Sequence, residues 1–186
     1  MMLRQAILMS SMLLNFEASL KITKENMKLL KRVDENLLRR ILGAPKSTPV
    51  PSLYLETGSI PVYLVIKGRH LLFLHYLLNQ PENSLLSKLL YDQIENPMTN
   101  DWFSVTKENL SELGLDHYSL QDIKNMKKNK FKKLIKTACE DVAFMDLKNE
   151  IAERNLKKIK SINYPKFELQ RYMLSNALST IIMHYQ

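Results

Sequence analysis

The residues able to do chemistry are few and poorly grouped. Histidines stand at positions 70, 75, 117 and 184, and no two are four apart, the spacing that lets two imidazoles share a metal on one helix turn. With a single cysteine, Cys139, and no HExxH or CxxC string, zinc chemistry lacks its ligands. His70 reads as an edge residue and His75 as a packed ring. Cys139 falls near an apolar helix stripe, where a small buried thiol is common, and no base stands beside it to make a nucleophile. One cysteine also excludes an intramolecular disulfide and is compatible with a reducing compartment. The adjacent acidic pairs are Asp34-Glu35 and Glu140-Asp141. Neighbours on a helix diverge by about 100°, so neither pair readily forms an acid–base dyad. Four scattered glycines cannot build a phosphate-cradling loop. The chain is therefore expected to be non-enzymatic, with no cofactor and no metal.

One feature with functional chemistry remains, the run QDIKNMKKNKFKKLIK from Gln121 to Lys136, which holds seven lysines. Residues 1–120 carry 13 basic and 12 acidic side chains, whereas residues 121–186 carry 14 and 7, so nearly all of the net +8 lies in the last third. Such a segment suits a polyanion, and it reads equally as a solvated helix face. On nucleic acid each neutralised phosphate would contribute roughly 0.7–0.9 to the salt slope. Aromatic rings are sparse in the run, and it contains no arginine. Backbone contact is thus expected, without base stacking, sequence reading or bidentate recognition. Use of the same helix on an acidic membrane would need the apolar stripe that the core requires, so no membrane partner is expected.

The elements that position these residues are helical. A chain of 186 residues, 45% apolar and 25% charged, is long enough for one domain with a substantial core. Its pattern predicts an all-α fold, an irregular bundle of short and medium helices with one long basic C-terminal helix. Charge divides it into a compact helical core over 1–120 and a basic helical extension over 121–186. The apolar run after Arg4 lacks a small-residue cleavage site, and Met1–Leu20 reads as an internal amphipathic helix. Thr23 caps the next helix, with a stripe at Leu29, Leu30, Val33, Leu37, Leu38, Ile41 and Leu42 and a stop at Gly43 and Pro45. The stretch Val33–Leu78 holds four of seven prolines and three of four glycines, so the chain folds back repeatedly there. Thr48-Pro49 opens a short helix that Gly58 ends. Ser59 and Pro61 open a longer apolar one, interrupted by Lys67, Gly68, Arg69 and His70. That cationic turn precludes a span of about 20 apolar residues. It is expected at an edge or facing a ligand.

Ser84 caps Leu85–Glu95, and Asn100 or Asp101 starts a helix bearing Trp102. Ser119 and Asp122 approximate a capping box. The longest helix spans Lys128 to Arg154, with a stripe at Phe131, Ile135, Ala138, Val142 and Met145. Lys132, Lys133 and Lys136 project away from it, and Lys128 lies on its flank. Ser161–Pro165 breaks the pattern and Lys166–Leu174 forms a last short helix. The apolar end, Leu178–Gln186, reads as a sequence cut short, and Met1 as a start within a longer frame. Apolar N- and C-terminal segments also suit a protein-interaction or dimerisation module.

Several strings carry a family resemblance. RQAILMSSMLLNFEA (Arg4–Ala18), VDENLLRRILGAP (Val33–Pro45), STP (Ser47–Pro49), LYLETGSIPV (Leu53–Val62), GRHLLFLHYLL (Gly68–Leu78), ENP (Glu95–Pro97), NDW (Asn100–Trp102) and FKKLIK (Phe131–Lys136) occur in this order. Together they resemble the region C-terminal to the polymerase core of LINE-type, non-LTR retrotransposon reverse transcriptases. Ser19 departs from a usual tryptophan, and Tyr63 and His70 from residues often arginine. The resemblance implies a helical platform attached to the thumb that helps hold RNA or DNA. The polymerase aspartates would lie upstream and a cysteine–histidine zinc module downstream. It further implies the polymerase core as a partner, a nuclear or cytoplasmic setting, and basic contacts at Arg39, Arg40, Lys67 and Arg69. The lysine helix adds Lys128, Lys132, Lys133 and Lys136 on physical grounds. A decayed element product with no selected function is the alternative.

Overall fold

The computed structural model describes Arg4, residues 13–19 and residues 22–154. Seven α-helices and no strand occur among them: α1 (Lys24–Leu42), α2 (Val50–Thr57), α3 (Val62–Leu78), α4 (Leu85–Glu95), α5 (Trp102–Glu112), α6 (Leu120–Asn125) and α7 (Lys128–Glu153). The all-α reading is therefore correct. The proposed break at Ser161–Pro165, the helix Lys166–Leu174 and the apolar end lie outside the described residues.

Local chemistry sets several helix ends. Thr23, Ser84, Asp101 and Ser119 each accept a backbone N–H from the first turn they precede, and Ser119 with Asp122 completes a reciprocal capping box. Gly43 ends α1 at φ 61° and Gly58 ends α2 at φ 56°, the left-handed geometry that glycine adopts without a Cβ penalty.

Helix α3 is the axis of the bundle. It packs against α7, α5, α1, α4, α6 and the segment preceding α1. Ten of its residues are buried around most of its circumference, as a helix apolar on every side requires. The turn Lys67–His70 is not at an edge, because Gly68 and His70 are buried. A Cβ built on Gly68 would lie 3.1 Å from Ile135 Cγ2 and 3.6 Å from Cys139 Sγ, so the glycine lets α3 and α7 approach closely.

Two expected stripes are redrawn by packing. On α1 the buried residues are Leu30, Asp34 and Leu38, whereas Leu29 and Val33 are 59% and 39% exposed. On α7 they are Phe131, Ile135, Cys139, Ala143, Leu147 and Ile151, and Met145 is 59% exposed. A four-residue step overshoots one helical turn by about 40°, so this buried face winds around α7. The winding follows a change of neighbour. Phe131 to Ala143 share a cluster with Leu64, Leu71 and Leu74, and Leu147 and Ile151 join Leu38, Leu53 and Leu55. The charge boundary at residue 120 is consequently not a packing boundary.

Residues 13–19 are not α-helical, in contrast to the amphipathic helix expected over Met1–Leu20. Asn15 is left-handed (φ 62°), a single 3-10 turn spans Phe16–Ala18, and Ser19 is extended. Side chains of α3 and α5 hold this strap in place, and Leu13 is fully buried with Leu30, Val62 and Ile66.

Candidate nucleic-acid interface

The lysine-rich end is fixed from within. The α6–α7 junction is held by α3: His75 Nε2 donates to the Met126 carbonyl at 2.8 Å, and Asn79 Nδ2 donates to the Lys124 carbonyl at 3.3 Å. The His75 ring stacks on Phe131, centroids 5.4 Å apart. Phe131 and Ile135 are anchored in the core, which turns Lys128, Lys132, Lys133 and Lys136 outward, where all four are exposed. Lys127 and Lys130 are exposed beside them, and Lys124 is half-buried.

Carboxylates are scarce at this end. None occurs between residues 123 and 139. Asp122 faces its own capping box, where hydrogen bonds from Ser119 hold its carboxyl below the usual range. Lys136 lies 3.6 Å from Glu140 on the next turn, an exposed pair of small worth. The first turn of α7 holds no acid, and Lys127 provides no side-chain cap. Lysines are thus gathered at the positive end of the helix dipole, a placement that is unfavourable without an anion nearby.

The other four candidates lie elsewhere. Arg40 is exposed at the end of α1 beside Leu38 and Leu42, which pack near Leu147 and Ile151. Leu147 and Ile151 are about 22–28 Å along α7 from Lys132. Arg39 donates from Nη2 to the Thr48 carbonyl at 3.0 Å and lies 3.8 Å from Glu35. Lys67 is half-buried and paired with Glu112, and burial pushes its ammonium below the usual range. Arg69 donates to the Leu13 carbonyl and lies 3.5 Å from Glu17. The structure therefore gathers the α7 lysines but not the four basic residues assigned through resemblance.

Two polar clusters escaped the sequence reading. Asp34, with no exposed surface, accepts from Arg4 Nε at 2.7 Å, Arg4 Nη2 at 2.8 Å and the Tyr54 hydroxyl at 2.9 Å. Arg4 Nη2 also reaches the Ile60 carbonyl at 2.7 Å. Burial and the adjacent Asp34 carboxylate push the Tyr54 phenol well above its ordinary range. The available signal was an acid placed four residues from both Leu30 and Leu38. In the second cluster His70 is buried rather than at an edge. Its Nε2 faces the Phe16 carbonyl and its Nδ1 faces Asn109 Nδ2, each at 3.0 Å. Trp102 Nε1 donates to the Glu17 carbonyl at 3.0 Å.

The single thiol is enclosed. Cys139 is buried, and desolvation pushes its thiol up to about 12. Among the described residues no group of three or more His, Cys, Asp and Glu side chains could hold a metal ion. No helix among them is long and apolar enough to cross a membrane. An open groove lies between the strap and α1, lined by Phe16, Ile22, Asn26, Leu29 and Leu30. Comparison with protein-family models, with curated proteins and with solved structures finds no match to this chain.

Proposed function

We propose that the chain is a non-catalytic helical platform that grips the phosphodiester backbone of RNA or DNA with the lysine-bearing end of α7. In this reading it corresponds to the region following the polymerase core of a LINE-type reverse transcriptase. The polymerase core would be its natural partner. The observation that carries the reading is seven lysines within thirteen residues, with no carboxylate between positions 123 and 139. Six of the seven are exposed on a helix end that Phe131 and Ile135 tie to the core. Lysines without arginines or exposed rings favour phosphates over base edges.

Binding of a fluorescently labelled single-stranded RNA across a salt series tests this. Affinity should fall steeply with salt, with a slope near 3 when about four phosphates are neutralised. Affinity independent of salt, or unchanged when Lys128, Lys132, Lys133 and Lys136 are replaced by glutamine, would count decisively against it.

A protein-interaction module is the second reading, supported by the outer face of α4. Leu85, Leu86 and Leu89 are 71%, 40% and 51% exposed there. Sedimentation of the full chain at high concentration separates the two readings. A monomer with salt-sensitive RNA binding supports the first alone.

A further inference from the structure

The strap at residues 13–19 is held through its carbonyls. Arg69 takes that of Leu13, His70 Nε2 that of Phe16, and Trp102 Nε1 that of Glu17. Of these three donors, His70 alone changes charge between pH 5 and 8. Its surroundings fix one neutral tautomer. Nε2 faces a carbonyl and must carry the hydrogen, whereas Nδ1 faces the Asn109 amide nitrogen and must present its lone pair. A second proton, on Nδ1, would point at an amide that is already donating.

Among the described residues, the groups around the ring offer little compensation. From the strap comes Glu17, itself 3.5 Å from Arg69 of α3. From α5 come Asn109 and the Trp102 ring, whose centroid lies 6.3 Å from that of His70. Burial holds the imidazole below its ordinary range, outweighing the opposing pull of the Phe16 carbonyl and Glu17. A folded-state value below the unfolded one gives a definite sign. The contribution of His70 is fully present above 6.5 and is lost as the pH falls through the depressed value.

We propose that His70 is an acid-sensitive latch whose protonation on Nδ1 frees residues 13–19 from α3 and α5 and uncovers the apolar seat of Leu13. The device uses none of the groups that hold the lysine end of α7, which contacts α3 further along the helix through His75 and Asn79. Among the described residues, the buried neighbours of Leu13 in its cluster are Leu30 of α1 and Val62 and Ile66 of α3.

Hydrogen exchange on the full chain, corrected for the intrinsic pH dependence of exchange, tests the latch. Peptides covering residues 13–19 should lose at least tenfold in protection between pH 7.5 and pH 5.0, while those of α7 stay protected. Asn109→Asp supplies an acceptor for the second proton, so the strap of that variant should remain protected at pH 5.0. His70→Gln keeps a donor and an acceptor but cannot titrate, and its strap protection should be the same at both values. Equal strap protection of the parent chain at the two pH values would overturn the proposal. So would parallel loss throughout α7, or an Asn109→Asp strap that opens in acid as the parent does. The parent and the Asn109→Asp variant decide the matter even if His70→Gln fails to fold.

Discussion

The arginines packed inside the bundle and the lysines at the end of α7 use their charge in opposite ways. Arg4 and Arg69 come from the part of the chain with nearly balanced charge, and both are engaged by carboxylates and main-chain carbonyls. Lys128, Lys132 and Lys133 come from the unbalanced part and project into solvent. A buried cation must be matched with polar partners or the desolvation cost destabilises the fold. An exposed one keeps its hydration until an anion displaces it. Positive charge is common to both regions. Access to water and to counter-charges separates them, so mutation of one region should cost stability and mutation of the other, on the proposed function, should cost binding.

The largest expected effect is at Asp34. Asp34→Ala leaves the buried Arg4 guanidinium without its carboxylate and the Tyr54 hydroxyl without this acceptor, and stability should fall by about 3–5 kcal/mol in urea denaturation. A loss below about 1 kcal/mol would erase the distinction between the two regions. Next comes Gly68→Val. Its branched side chain must enter the space held by Ile135 and Cys139, and stability should fall by about 1–3 kcal/mol. The same denaturation series measures it.

Replacing Lys128, Lys132, Lys133 and Lys136 together by glutamine should act the other way round. The denaturation midpoint should move by no more than about 0.5 kcal/mol per site, and removing Lys128 from the positive helix end favours stability. The slope of log K against log salt on single-stranded RNA should fall by about 0.7 for each lysine removed. A collapse of the fold in this variant would show that these lysines are structural after all.

The smallest effect belongs to Glu35. Burial outweighs the neighbouring Arg39 and raises its carboxyl above the usual value of 4.5. A raised folded value means that the ionised form is disfavoured by folding. The penalty is absent below 4.5 and develops as the pH rises through the folded value. Glu35→Gln should therefore be slightly more stable than the parent at pH 7, by less than about 1 kcal/mol, and equal to it at pH 4. Thermal melts at the two pH values measure the difference.

Residues of the strings that carry the family resemblance meet in the interior more than at the surface. Arg4, Asp34 and Tyr54 come from three of them and form one buried cluster. Glu17, His70 and Trp102 come from three and join the strap to α3 and α5. Their spacing along the chain gave no hint of this, because Arg4 and Asp34 are 30 residues apart and His70 and Asn109 are 39 apart. The single acid on the α1 stripe was the one local sign.

What the sequence determined alone is what a few neighbouring residues can settle. Thr23, Ser84, Asp101 and Ser119 start helices because a side-chain oxygen reaches a backbone N–H three residues on. Gly43 and Gly58 stop them because only a few residue types tolerate the left-handed turn. The exposure of the α7 lysines follows from their position relative to Phe131 and Ile135. Tertiary structure decided the rest: which side of α1 is buried, how the face of α7 winds, why Gly68 is glycine, and which cations are consumed. Each of these depends on groups brought together from distant parts of the chain. Burial charges a polar group according to its partners, and partners are a property of the packed molecule.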